Sequence, residues 1–189
     1  MKIYSPLNNS IITQGFGIEN TKKELIPLYN SIGLKAHNGF DFSAKDRQSI
    51  YFDVSCKGKV IAISTDINLG FGIDILTEDK DGIFKHRYWH LKSMNVKVGQ
   101  DVESGDLIGR ADNTGKYTTG THLHRDLKQC TYQENEVLEV LNKNNGYFGA
   151  ISIEQYYKNI FILDYLDTLE KQISILHKLI NLYKLLFKK

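Results

Sequence analysis

The residues best suited to chemistry in this chain are four of its six histidines and one aspartate, grouped in three short strings. His37 and Asp41 lie four positions apart in AHNGFD, and His90 lies in RYWHL. His122 and His124 flank one residue in GTHLHRDL, and on a β-strand that spacing directs both to one face. A catalytic zinc site takes three protein ligands and leaves a fourth position for water. His37, Asp41 and one histidine of the pair would meet that number, so the pattern indicates a metal hydrolase.

Each string alone is weak evidence. A lone strand histidine such as His90 is usually structural, with its hydrogen bonds satisfied, and Gly39 and Gly120 could be ordinary turn glycines. His86 shares a strand face with His90 by the two-residue period, but we expect it to be a surface histidine. The three strings together, in a glycine-punctuated β-rich chain, are much more specific than any one of them.

The composition limits the classes of protein to which this chain can belong. The chain has 189 residues, enough for one well-cored domain and an appendage, with ordinary hydrophobic (41%) and charged (24%) fractions. The net charge of +2 is too small to argue for nucleic acid as a partner. Cys56 and Cys130 are too few for a disulfide framework, and buried free thiols are the better reading. MKIYSPLNNS lacks the apolar core of a signal peptide, and no run of about 18 apolar residues would span a membrane.

Strand patterns dominate the chain from Ile11 to about Leu127. KGKVIAIS (57–64) and FGIDILTED (71–79) alternate between apolar and polar residues and are flanked by turn residues. The following run, NVKVGQDVESGDLIGRADNTG, is a series of valines and isoleucines broken by glycines. Short strands with glycine turns predict a mainly β fold, an antiparallel β-sandwich or barrel-like sheet.

The character of the chain changes after about residue 130. We predict a short helix over 135–142, and a longer helical tail from about Ser152. Apolar residues then step by four and three without interruption, at Ile162, Leu166, Leu169, Ile173, Leu176, Ile180, Tyr183 and Phe187. This is a heptad seam. We therefore divide the chain into a domain over 1–150 and an amphipathic helical tail over 151–189.

The motifs together carry a resemblance to a known family. GFG (15–17), AHNGFDFSA, GKVIAI, the run from Arg87 to Gly115 and GTHLHRDL are similar to the lysostaphin-like, LytM-type zinc endopeptidases that cut peptidoglycan peptides. The resemblance covers roughly residues 10–128. It implies an endopeptidase that hydrolyses stem or cross-bridge peptides with a zinc-activated water, inside a β-sheet catalytic domain.

The resemblance also implies roles for individual residues. The zinc ligands would be His37, Asp41 and His124, and the catalytic histidines His90 and His122. Imidazole suits proton transfer because its unperturbed pKa lies close to working pH. Tyr117 and Thr118, in the loop before His122, are positioned to meet substrate, and in this family loops such as 18–35 wall the groove.

The chain departs from the family after the second zinc histidine. Arg125 stands where an aromatic or apolar residue is common, and Asp126 stands where glutamate is frequent. These changes affect packing or substrate preference rather than zinc binding.

Three other interpretations fit parts of the sequence. A catalytically inactive family member, used as a binding or structural module in a phage tail or cell-wall regulator, would have lost ligands, and none is lost. VKVGQDVESGDLIG resembles the sandwich of biotinyl and lipoyl carriers, but the modifiable lysine turn is missing. A membrane-active role would concern the C-terminal helix alone and could coexist with the enzyme.

The C-terminal tail suggests how the protein reaches its substrate and what it contacts. NNGYFGAISIEQYY is similar to segments that follow such domains in phage lysins and tail-associated proteins. With no signal peptide, we expect a protein that acts on the cell wall from a phage virion or after release at lysis. We expect the helix over 160–187 to mediate homo-oligomerisation or partner docking, because its seam must be buried; contact with a membrane surface is the other use it would suit.

Overall fold

The computed structural model describes residues 1–134 and 137–186. Within these residues the regular structure consists of fourteen β-strands and two α-helices, with two short 3-10 turns before the first helix. The strands are β1 (Ile3–Ser5), β2 (Ile12–Gln14), β3 (Phe40–Ser43), β4 (Ser49–Tyr51), β5 (Gly58–Asp66), β6 (Gly70–Asp79), β7 (Gly82–Trp89), β8 (Leu91–Met94), β9 (Asp101–Val102), β10 (Leu107–Ala111), β11 (His122–Tyr132), β12 (Leu138–Val140), β13 (Ala150–Ile151) and β14 (Tyr157–Phe161). The helices are α1 (Ile26–Ser31) and α2 (Ile162–Leu186).

The strands form one large sheet and two small ones. The large sheet runs β2-β3-β11-β7-β6-β5-β9. β13 pairs with the middle of β11 and β12 with its C-terminal end. A three-stranded sheet has the order β4-β10-β8, and β1 pairs in parallel with β14. Every pairing in the large sheet is antiparallel. The predicted fold class, mainly antiparallel β with a C-terminal helix, is confirmed.

The core lies between the large sheet and the three-stranded sheet. Ile73 and Leu123 of the large sheet are in one buried cluster with Ile50 and Ile108 of the smaller one. Successive strand residues point to opposite faces, so Leu123 and its alternate neighbours face this core. His122, His124 and Asp126 therefore lie on the other face of the large sheet, and that face carries the site.

A buried ionic network lies on the core face of β11. The Arg125 side chain is fully buried, and its Nε and Nη2 donate to the two carboxylate oxygens of Asp53 at 2.7 and 3.0 Å. Tyr88 donates to the same carboxylate at 2.5 Å. His86 is also fully buried, between Arg125 Nη2 at 2.9 Å and Thr77 Oγ1 at 2.8 Å. The expectation of a surface His86 is therefore wrong; burial, with the Arg125 charge, holds its pKa well below 6.5.

Arg125→Ala should lower the free energy of unfolding by about 3–5 kcal/mol, because it leaves the Asp53 carboxylate buried without its cation. Urea denaturation of the two proteins measures the difference. Lys59→Ala is the matched control, since Lys59 forms a 2.7 Å ion pair with Asp101 at the exposed surface and should cost under about 1 kcal/mol. Equal losses in the two variants would contradict the structural role of Arg125.

Two predictions for the C-terminal third are wrong. The predicted helix over 135–142 is not observed in the described residues of that range, because Leu138–Val140 is a strand opposite Cys130–Tyr132. Asn135 and Glu136 lie outside the described residues. The chain is not helical from Ser152 either, because Tyr157–Phe161 pairs with β1 and Ile153 packs in the core.

The helix predicted from the heptad spacing is confirmed from Ile162 to Leu186, and Phe187 lies outside the described residues. The use of this helix in a coiled coil stays a prediction. No helix in the described ranges has the length and apolarity needed to cross a membrane. The division of the chain at residue 150 stays a prediction.

Candidate metal centre

Sheet register brings two of the predicted ligands together. In the β3–β11 pair Asp41 lies directly opposite His124. His37 lies just before β3 and is held by backbone contacts: its N–H donates to Thr21 Oγ1 at 3.0 Å, and its carbonyl accepts from Gly17 N at 2.9 Å. The three side chains therefore converge because one strand pair and one turn are fixed by the fold.

Their ligand atoms form a compact triangle. His37 Nε2 lies 3.1 Å from Asp41 Oδ1 and 3.0 Å from His124 Nδ1, and His124 Nδ1 lies 3.0 Å from Asp41 Oδ1. A tetrahedral zinc ion with bonds of about 2.0–2.1 Å places its ligands about 3.3 Å apart. Two imidazole nitrogens and one carboxylate oxygen also suit zinc chemically. The three ligand atoms would thus accommodate the ion if the distances between them increased by a few tenths of an ångström. Among the described residues this is the group of three that could hold a metal.

Outer contacts determine which nitrogen each histidine presents. His37 Nδ1 lies 2.9 Å from the carbonyl of Gly15; a carbonyl only accepts, so Nδ1 carries the proton and Nε2 is free for a metal. His124 is reversed: Nδ1 faces the triangle, and Nε2 lies 3.8 Å from the buried Asp126 carboxylate. Carboxylates and carbonyls behind metal-binding imidazoles fix the tautomer and the ring orientation. Asp126, which in the sequence is only a departure from the family, thus lies behind the His124 ring, beyond hydrogen-bond distance, where its charge favours a proton on Nε2.

The electrostatics of the triangle favour a cation. Burial alone would raise the pKa of Asp41, but His124 and His37, whose rings lie against its carboxylate, hold that pKa well below its usual range. Burial alone would lower the pKa of His124, but Asp126 and Asp41 outweigh it and raise that pKa to about 9. The metal-free site thus attracts a proton strongly, and a bound metal ion would take the place of that proton.

His90 borders the triangle in an unusual backbone conformation. Its φ of 67° lies in the left-handed region, uncommon for a residue with a side chain and typical of functional sites. The two-residue period of β7 ends at Trp89, so His90 does not share the buried face of His86. His90 Nδ1 donates to the carbonyl of Thr114 at 2.7 Å, which leaves Nε2 with a lone pair. Burial lowers the pKa of His90 to about 4, with the charges of His124 and His122 adding to the effect.

His122 lies beside His90, with ring centroids 4.7 Å apart. Its Nδ1 donates to the carbonyl of Gly120 at 2.7 Å, and its Nε2 lies 3.7 Å from Asp41 Oδ1. Two imidazoles with one free nitrogen each therefore flank the metal triangle. All five residues of the three sequence strings come together at one site.

The site opens into a cleft of about 580 Å³. Tyr117 and Thr118 line it, as expected for substrate contacts, and Thr118 Oγ1 lies 3.3 Å from His122 Nδ1. Their role in binding stays a prediction. A largely apolar wall of the cleft comes from segment 18–35, which contains α1 rather than an irregular loop throughout. Besides Lys22, its lining side chains are Leu25, Leu28, Tyr29, Ile32 and Leu34.

Sequence reasoning missed Arg87 and Trp89 in the cleft. Both lie on the metal face of β7, and Trp89 is directly opposite His124. Arg87 stacks over the Trp89 ring at 4.6 Å and pairs with Asp74 at 3.1 Å. The RYWH string holds a signal for both residues, since the alternation that buries Tyr88 must turn its neighbours outward.

Gly39→Ala should weaken zinc binding by at least about 10–100-fold, the range seen when the support of a metal-bound histidine is lost. A Cβ at position 39 would lie 2.7 Å from both His124 Cε1 and the Arg125 carbonyl oxygen, so the His124 ring must move. Gly120→Ala is the control, because a Cβ there meets nothing within 4 Å. Competition with a chromophoric chelator measures both affinities. Equal affinities in the two variants would contradict a close-approach role for Gly39.

Comparison with known proteins agrees with this geometry. Residues 35–137 match Peptidase family M23, and the chain belongs to this family. Glycyl-glycine endopeptidase ALE-1 of Staphylococcus capitis is 33% identical over 109 residues, which is 57% of this chain and 30% of that protein. Peptidoglycan DD-endopeptidase ShyB of Vibrio cholerae is 36% identical over 88 residues, 47% of this chain and 19% of the relative.

Solved structures give the same result. A zinc-containing peptidase from Vibrio cholerae superposes with a TM-score of 0.53 and 28% identity, covering 67% of this chain and 36% of the other. The chain spans less than a third of the length of the curated relatives described above. The chain therefore shares the family and the fold with these proteins, and the matched region is a minor part of each curated relative.

Proposed function

We propose that this chain is a zinc-dependent endopeptidase that hydrolyses peptide bonds in the stem or cross-bridge peptides of peptidoglycan. One observation carries the proposal: three ligand atoms lie within 3.1 Å of one another, and two further imidazoles flank them in an open cleft. Relatives named as peptidoglycan and glycyl-glycine endopeptidases support the substrate class.

His37 Nε2, Asp41 Oδ1 and His124 Nδ1 would hold the metal. Zinc bound there supplies a Lewis acid for the scissile carbonyl and lowers the pKa of water to about 7. His90 and His122 each donate Nδ1–H to a backbone carbonyl, so in the neutral ring the lone pair lies on Nε2, and either nitrogen could accept the proton of the attacking water. In hydrolysis the carbonyl carbon gains the hydroxyl, the C–N bond breaks, and the proton passes to the leaving amine. The same imidazoles can return that proton.

The peptide would lie along the cleft between the apolar wall and the loop that carries Tyr117 and Thr118. The wall gives a substrate side chain an apolar surface, and the opposite loop offers hydroxyl groups for hydrogen bonds to its backbone. A peptide held on both sides places one bond beside the metal triangle, and this positioning supports endopeptidase rather than terminal cleavage.

Mass spectrometry of fragments released from purified peptidoglycans tests the proposal. The full chain is incubated with sacculi that contain glycine bridges and with sacculi that have direct D-alanyl cross-links. We expect new amino termini in at least one type, loss of release with a chelator, and recovery on adding zinc. Absence of release from every type by zinc-loaded protein would leave the inactive binding module as the better reading. The intact five-residue site argues against that module.

We infer further that the protein acts at the cell wall, reaching it with a phage virion or at host lysis. The support is the similarity of segment 144–157 to segments that follow such domains in phage lysins and tail-associated proteins. Assembly through α2, the other expectation from sequence, is an alternative to the occupant considered next.

A further inference from the structure

Helix α2 has two sections with different surroundings. Its first turns pack on the catalytic domain: Ile162 is fully buried, and the Tyr165 ring stacks on Tyr4 with centroids 4.2 Å apart. Leu166 comes so close to Gly105 that a Cβ there would lie 2.6 Å from its Cδ1. The acidic residues of the helix, Asp164, Asp167 and Glu170, all belong to this docked section or its edge.

The second section projects from the domain. Every residue from Lys171 to Lys184 is exposed. At 1.5 Å per residue, the 16 residues from 171 to the end of α2 extend about 24 Å. Six large apolar side chains in this section are 40–57% exposed: Ile173, Ile175, Leu176, Leu179, Ile180 and Leu182. A surface of this kind on a folded protein marks an interaction site.

The projecting section is divided lengthwise into two halves. At about 100° per residue the six apolar side chains fall within about 180° of the helix circumference, with Gln172 as the polar residue among them. The other half carries Lys171, Ser174, His177, Lys178, Asn181 and Lys184. No acidic residue occurs in the sequence after Glu170. An apolar half-cylinder with a basic opposite half is the pattern of a helix lying in a bilayer interface.

We propose that the section from 171 to 186 docks on the surface of an anionic phospholipid bilayer. Its apolar half enters the boundary between headgroups and acyl chains, and its lysines remain at headgroup level. Charge complementarity supports this occupant, because each lysine near an anionic surface strengthens binding about fivefold. The acidic residues Asp164, Asp167 and Glu170 are exposed, but all three precede this section. Asp167 pairs with Lys171 at 2.6 Å, so the charge complementarity rests on Lys178 and Lys184.

A second copy of the chain covers less of the same surface. A two-stranded coiled coil would bury the seam through Ile173, Leu176 and Ile180, with isoleucine and leucine in the alternate positions that favour a parallel dimer. The flank of that seam, formed by Ile175, Leu179 and Leu182, lies about 90–155° to one side of it and would stay exposed. A bilayer surface covers both the seam and its flank.

The flank therefore distinguishes the two occupants. Leu179→Glu with Leu182→Glu should weaken binding of the full chain to phosphatidylglycerol vesicles by at least about 100-fold, since two buried leucines are lost. Ser174→Glu with Asn181→Glu is the matched control: it adds the same charge to the polar half and should cost about 25-fold or less. Vesicle cosedimentation measures both, and phosphatidylcholine vesicles should bind the unaltered chain more weakly than phosphatidylglycerol vesicles do.

Three results would overturn the proposal. In the first, the unaltered chain does not bind phosphatidylglycerol vesicles but sediments as a dimer, and Ile173→Glu dissociates that dimer. A second copy of the chain then occupies the apolar half of the helix. Another is a monomer that binds no vesicles. The third is equal vesicle binding by the flank and control double variants. Circular dichroism of each variant verifies that α2 is still helical, and none of these substitutions touches the metal site.

Discussion

Zinc content should fall far below one ion per chain when alanine replaces His37, Asp41 or His124. The site offers three protein ligands whose atoms lie 3.0–3.1 Å apart, so two would remain after any one substitution. Structural support around a metal-bound histidine alone is worth about 10–100-fold in affinity, and loss of the ligand itself should exceed that. Peptidoglycan release should fall with the metal. Elemental analysis after dialysis and the fragment assay measure the two effects.

His177→Ala is the control for these ligand variants. His177 is an exposed histidine on α2, far along the chain from the site, so its loss should leave the zinc content unchanged. Thermal unfolding of the metal-free variants separates lost affinity from lost fold. Full zinc occupancy in all three ligand variants would disprove the ligand assignment.

Alanine at His90 or His122 should have the opposite signature, with zinc retained and hydrolysis reduced by about 10²–10³-fold or more. Neither imidazole belongs to the ligand triangle, and each has its Nδ1 proton engaged by a backbone carbonyl. The loss should appear in kcat rather than in KM, because the nitrogen acts on protons that move during the reaction. Steady-state kinetics on a soluble peptide from the identified cross-bridge measures it.

Thr118→Val is a useful partner to His122→Ala. It removes the hydroxyl 3.3 Å from His122 Nδ1 and leaves the Gly120 carbonyl that already accepts from that nitrogen. A small effect of Thr118→Val beside a large effect of His122→Ala would assign the loss to the imidazole. Near wild-type rates for both His90→Ala and His122→Ala would show that proton transfer depends on another group.

The metal site was accessible from sequence because its spacing is local. His-x-His on a strand fixes a common face for His122 and His124, whatever the rest of the fold does. The opposition of Asp41 to His124 is different: it follows from the register of two strands more than 80 residues apart, which no local pattern specifies. The resemblance to a family supplied that pairing, and the structure places the side chains accordingly.

The errors came from long-range pairings. The sequence over 135–142 has apolar spacing that suits a helix, yet Leu138–Val140 extends the sheet because β11 offers an unpaired edge. Tyr157–Phe161 becomes a strand because β1, about 150 residues earlier, is its partner. The burial of His86 does not follow from its own strand, because its partners, Thr77 and Arg125, come together only when β6, β7 and β11 align. Periodicity reports a preference for one face and carries no information about these partners.

Strand β14 passes into α2 with no residue between Phe161 and Ile162. A flexible linker at that point would let the catalytic domain swing through a wide volume around its anchor. Here the sheet sets the direction of the helix, so the cleft has a fixed orientation and a fixed distance relative to any surface that α2 contacts. If α2 docks as proposed, the length of the helix would fix the distance between that surface and the cleft, and the peptides that the cleft could reach would lie at one depth in the wall.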